Sequence, residues 1–197
     1  MRWILAAIVL AGSAHAMPES VDGLSASGPR AELRQQLALY APFIGSWDVV
    51  SILHRPDGRT ERREGEWNWG WILEGRGIQD VFIIPARGKR LVVDGERPQS
   101  YGTTVRLYDS AAQAWRIVYM DPAYNYRIVL TARRQGDEIV QEGTDDEGNP
   151  TRWVFFDIQP TTFRWRAEVS TDQGKTWRLE QEMLATRKTA VPPTAGG

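Results

Sequence analysis

The chain has 197 residues, with 24 Lys plus Arg against 25 Asp plus Glu, nine tryptophans and no cysteine. So even a charge balance argues against nucleic acid or an anionic membrane as main partner, since both select basic surfaces. The lack of cysteine excludes disulfides, thiolate chemistry and a lipid-modified cysteine, and a chain of this size buries enough surface to need no staple or structural metal.

The opening residues, MRWILAAIVLAGSAHA, place Arg2 before an apolar run from Trp3 to Gly12 and close on Ala14-His15-Ala16. This is the layout of a secretory signal peptide cut after Ala16. The run is also shorter than the roughly 20 residues a permanent membrane helix needs. A short buried helix is the other reading. Residues 1–16 are therefore expected to direct export, to the periplasm or beyond, with no stable membrane anchor. Residues 17–28, rich in Ser, Gly and Ala, form a flexible leader. In PRAELRQQLALYAPFIG, Leu33, Leu37 and Tyr40 recur at helical spacing between Pro29 and Pro42, which predicts one short α-helix of about ten residues.

Beyond Gly45 the period changes to two. In EWNWGW, Trp67, Trp69 and Trp71 fall on one face of a strand, with Glu66, Asn68 and Gly70 on the other. TFRWRAEV sets Phe163, Trp165, Ala167 and Val169 against Arg164, Arg166 and Glu168. TWRLEQEML sets Trp177, Leu179, Gln181 and Met183 against Arg178, Glu180 and Glu182. Turn signals such as Pro56-Asp57-Gly58 and Asp146-Glu147-Gly148-Asn149 separate the runs. Strands are expected near 45–55, 59–71, 76–85, 101–109, 114–121, 124–134, 138–143, 151–158, 162–170 and 175–186. The fold class is all-β: an antiparallel up-and-down barrel of about ten strands, spanning 29–188 with its helix, because closure removes both sheet edges. A two-sheet sandwich is the alternative.

Residues 86–100 interrupt the rhythm with a basic, Gly- and Pro-containing loop, read as solvated or as a rim flap. Residues 189–197 lack apolar content and form a disordered tail. The stretch STDQGKTW, residues 170–177, resembles the Asp-box of sialidases and related β-propellers. A single copy without blade-length repeats explains a hairpin turn: Asp172 accepts backbone amides and Gly174 takes a positive φ.

FIGSWDVV, residues 43–50, carries Gly45-x-Trp47 between the helix and the first strand. This resembles the opening of the calycin superfamily of lipocalins, fatty-acid-binding proteins and nitrobindin-like barrels. EGEWNWGWILEGRGIQDV, YGTTVRLYD and RWVFFDI extend the likeness to bacterial lipocalin-like domains of unknown function over residues 40–187. The resemblance implies that Trp47 plugs the barrel floor and that Arg187, ending the last strand, packs over its ring. Nitrobindin-like relatives bind haem through a late histidine. After loss of His15 this chain keeps only His54, beside the first turn, so no haem or other cofactor is expected.

With one histidine and no cysteine, a histidine-cysteine zinc site is unavailable, and no metal is expected. Asp80, Asp121 and Asp157 sit in otherwise apolar strands, each either an acid–base group or the partner of an arginine. A cofactor-free isomerase, cyclase or hydrolase using such an Asp or a Tyr is thus one functional reading. The other is a barrel that holds one small apolar or aromatic molecule. Its expected ligand-binding residues are the inward Trp67, Trp69, Trp71, Tyr101, Trp115, Tyr119, Tyr126, Trp153, Trp165 and Gln181.

Overall fold

The two-residue period of the sequence closes on itself. In a computed structural model, describing residues 24–87 and 100–189, ten antiparallel strands form one closed barrel. They are β1 (Gly45–His54), β2 (Thr60–Ile72), β3 (Gly77–Ile84), β4 (Ser100–Asp109), β5 (Ala114–Asp121), β6 (Tyr126–Gln135), β7 (Glu138–Thr144), β8 (Pro150–Phe156), β9 (Thr162–Val169) and β10 (Arg178–Arg187). Each strand pairs with its sequence neighbour, and β1 with β10 closes the ring, so no edge is left unpaired. The segment 1–16 expected to be a signal peptide, most of the expected leader, most of the 86–100 loop and nearly all of the expected tail lie outside the described residues.

The predicted ten-residue helix is shorter and broken. A 3-10 turn at Ala31–Leu33 leads into the single α-helical turn α1 (Arg34–Leu37), and a second 3-10 turn spans Ala41–Phe43. Pro42 and the need to lay Leu37, Tyr40 and Phe43 into the barrel end, all fully buried, override continuous helix. The end of the leader lies against the barrel, with Ala26 N–H donating to Trp71 O at 2.9 Å.

This helical segment plugs one end. Phe43 stacks on Trp69 at 5.1 Å and meets Phe155 and Phe163 at 4.8 Å each, while Tyr40 sets its ring edge-on to Trp115 at 4.8 Å. Trp47 is fully buried beneath, its indole N–H donating to Phe43 O at 2.7 Å. The Arg187 guanidinium lies 4.0 Å over the Trp47 ring and donates to Pro42 O, Ile44 O and Pro160 O at 2.7, 2.9 and 2.8 Å. One cation thus ties the last strand, the plug and the β8–β9 turn together, as the calycin resemblance implied. Arg187→Ala is expected to cost about 2 kcal/mol in urea unfolding, through lost charge-assisted hydrogen bonds and the cation–π contact.

A second clamp sits outside the barrel. Glu66 points outward from β2 yet is only 4% exposed, because Arg87 and Lys188 fold over it. It accepts Arg87 Nε at 2.6 Å, Arg87 N–H at 3.1 Å and Lys188 Nζ at 3.1 Å. Arg87 first, and Lys188 after it, hold the carboxyl down at about 2, against an ordinary 4.5. A carboxyl depressed on folding stabilises the protein above the unfolded pKa and loses that contribution as pH falls from about 4.5 through 2. Urea midpoints should therefore drop between pH 6 and pH 3, by an amount equivalent to about 1–2 kcal/mol from this group. Glu66→Gln should flatten that part of the profile.

The Asp-box stretch is a turn, as expected. Asp172 accepts the Ser170 hydroxyl at 2.7 Å and the Thr176 hydroxyl and amide at 2.6 and 2.8 Å, and Gly174 adopts φ +85°. The strand that follows departs from simple alternation. A β-bulge between Leu179 and Gln181 shifts the phase of β10, so Leu179 pairs beside outward Glu168. Trp177, expected inside, lies half-buried on the outer surface beneath Arg152, whose guanidinium is 4.1 Å from its ring.

Candidate functional site

Above the aromatic plug the barrel is not filled. A cavity of about 640 Å³ opens at the end carrying the β1–β2, β5–β6, β7–β8 and β9–β10 turns. Six of the ten sequence-chosen residues line it: Trp67, Tyr119, Tyr126, Trp153, Trp165 and Gln181. Their strands are β2, β5, β6, β8, β9 and β10, so five rings and one amide converge from most of the circumference.

Three others are interior but lie in the packed half. Trp69 and Trp115 contact the plug, and Trp71 sits at the far end of β2 from the mouth, beside Ala26. Their faces were legible, but depth along the barrel axis depends on strand stagger. Tyr101 is on the wrong face: it is 42% exposed, because Ser100, Gly102, Thr104 and Arg106 take the interior phase of β4. Gly102 is required there, since a Cβ would run into the Tyr119 phenol of the next strand.

The boundary between filled and open halves is a buried ion pair. Asp80 on β3 is 1% exposed and binds Arg106 on β4, also 1% exposed. The same carboxylate accepts the Trp67 indole N–H at 2.7 Å and the Thr104 hydroxyl at 3.2 Å. The Arg106 guanidinium lies 4.2 Å over Trp69 and 5.2 Å from the Tyr40 ring centre. Asp80 is therefore a partner of arginine and holds the Trp67 ring as the cavity floor. Asp157 leaves the barrel altogether: it is in an exposed turn with φ +49°, 3.9 Å from Arg164.

Asp121 behaves differently. It is 2% exposed at the mouth end of β5, lines the cavity, and takes only neutral donors among the described residues. These are the Ser100 hydroxyl at 2.6 Å, the Tyr119 hydroxyl at 3.2 Å and Ala123 N–H at 3.0 Å. Burial first, and then Asp121, push the Tyr119 phenol well above its ordinary value, so Tyr119 is a donor at neutral pH and not a base. Burial likewise raises Tyr126 to about 12. For cofactor-free acid–base chemistry, Asp121 is a carboxylate that faces the lumen with no arginine partner among the described residues.

On the opposite wall Gln181 lines the cavity and donates to Ser51 Oγ at 2.8 Å. The mouth is polar. Arg55 and Arg63 share Glu61, Arg178 pairs with Glu180, and His54 lies 3.1 Å from Glu182. Sequence reasoning picked out Asp121 but missed its companions Ser100 and Tyr119 as a unit, because Ser100 belongs to another strand, across the β3–β4 connection. Among the described residues no group of three or more His, Asp or Glu side chains is placed to hold a metal ion.

No family model matches the chain, and no curated protein matches it. Two of the solved structures that share the architecture illustrate it. The S-type phycobiliprotein lyase CPES from Guillardia theta superposes with a TM-score of 0.55 at 11% identity, covering 78% of this chain and 93% of that one. Rv2717c from M. tuberculosis gives 0.52 at 15% identity, covering 78% and 97%. Identities this low speak for fold alone. With the ten-strand closed ring and the Trp47–Arg187 contact, they give this chain the fold of a lipocalin-like barrel.

Proposed function

We propose that this chain is an exported carrier that holds one small amphipathic molecule inside its barrel. The observation that carries the reading is the cavity: about 640 Å³, within the usual size of small-molecule sites, floored by indole and rimmed by charge. Apolar walls with a few convergent polar groups, here Asp121, Tyr119 and Gln181, favour a ligand with both an apolar body and a polar end. That one similar structure is a phycobiliprotein lyase supports an interior that handles a small molecule. Export rests on the signal-peptide pattern of residues 1–16, and the mass of the chain recovered outside the cytoplasm should correspond to a start at Met17.

The test is a titration of the protein with N-phenyl-1-naphthylamine, a neutral lipophilic probe. The expected result is saturable quenching of tryptophan emission, energy transfer to the probe, and one probe per chain. Absence of saturable quenching by this and other lipophilic probes would overturn the reading.

A further inference from the structure

We infer that the cavity selects an organic cation: a lipophilic or aromatic amine whose ammonium group sits beside Asp121. The inference rests on the cavity being a ligand site, and adds the chemical class of the ligand.

Asp121 stands directly across from Tyr126 on the neighbouring strand, both facing inward, and its Oδ2 accepts the Tyr119 hydroxyl. Tyr119 lies 6.1 Å from Tyr126 and 5.4 Å from Trp153, ring centre to ring centre. One carboxylate thus stands beside a cluster of three electron-rich rings, bonded to one and opposite another, the combination that recognises ammonium groups through charge and ring quadrupole together.

The distribution of charge points the same way. Each arginine lining the cavity already has a carboxylate: Arg106 has Asp80, Arg55 and Arg63 have Glu61, and Arg178 has Glu180. The Asp145 carboxylate at the mouth is taken up by its own turn, accepting amides of Glu147 and Asn149. Asp121 likewise has three neutral donors among the described residues, two hydroxyls and one amide, but it is only 2% exposed and faces the lumen beside Tyr119 and Tyr126. The inner wall therefore carries one carboxylate with no cation bound to it among the described residues. A buried charge of this kind is most favourably met by a ligand of opposite sign. An anionic ligand would have to displace an existing ion pair at the mouth or approach Asp121 with like charge.

The test compares three probes of nearly equal shape, 1-naphthylmethylamine, 1-naphthalenemethanol and 1-naphthoate, by tryptophan quenching. The amine is expected to bind roughly tenfold or more tighter than the alcohol, and the carboxylate weakest. Asp121→Asn should bring the amine-to-alcohol ratio down toward one, and Tyr126→Leu should lower it partially. Should Asp121→Asn not fold, the ranking in the unmodified protein and the Tyr126→Leu ratio decide. An alcohol bound as tightly as the amine, or a carboxylate bound tightest, overturns the cation site while the cavity remains a ligand site. Failure of all three probes, together with the neutral lipophilic probe, fails the carrier reading itself and this inference with it.

Discussion

Asp80→Ala should destabilise the barrel by about 3–5 kcal/mol, the cost of leaving a buried guanidinium without its counter-charge. Arg106 is 1% exposed and pressed onto the Trp69 face, so its charge stays buried when Asp80 is removed. The substitution also removes the acceptor of the Trp67 indole N–H and of the Thr104 hydroxyl. Removing both charges is different. Asp80→Leu with Arg106→Met keeps the volume apolar and should recover most of the loss, since a buried ion pair adds little beyond a well-packed hydrophobic substitute. Guanidinium unfolding followed by circular dichroism measures both. A single variant as stable as the parent would mean that Arg106 finds another partner, and that the pair does not define the cavity floor.

Ala167→Trp should weaken binding of the neutral naphthyl probe by about a hundredfold or more while changing stability little. Ala167 faces the lumen from β9, flanked by Trp153 on β8 and Gln181 on β10, and lines the cavity. An indole there enters existing space, so the overpacking that destabilises a full core, about 1–3 kcal/mol, is largely avoided. Val129→Trp, on the outer face where Val129 is 53% exposed, is the matched control and should bind like the parent. Equal binding by both variants would place the probe outside the barrel.

Much of this architecture was legible because the barrel obeys a local rule. Every strand lies within a few residues of its expected bounds, and the Trp67, Trp69, Trp71 stripe faces inward as a two-residue period requires. Gly45-x-Trp47 and Arg187 also met as the resemblance implied. What failed was governed by partners distant in sequence. Tyr101 has the composition of an inward residue, but its strand is phased by Gly102 yielding to Tyr119. Trp177 lost its place to a bulge that no alternation shows. Trp69 and Trp115 fell below the cavity because the helical plug occupies their half of the barrel, which a face assignment alone does not reveal. Asp80 and Asp121 looked alike as carboxylates in apolar strands. Only the register that sets Arg106 near Asp80, and Tyr126 opposite Asp121, separates a structural ion pair from the carboxylate proposed to meet a ligand.

Fluorine NMR of the protein labelled with 5-fluorotryptophan, titrated with 1-naphthylmethylamine, asks most directly whether the open half of the barrel is where a ligand goes. The resonances of Trp67, Trp153 and Trp165, which line the cavity, should move, while Trp47 and Trp115 in the plug and Trp177 on the outer surface should hold still. Shifts confined to Trp177, or none at any indole at saturating amine, would contradict it.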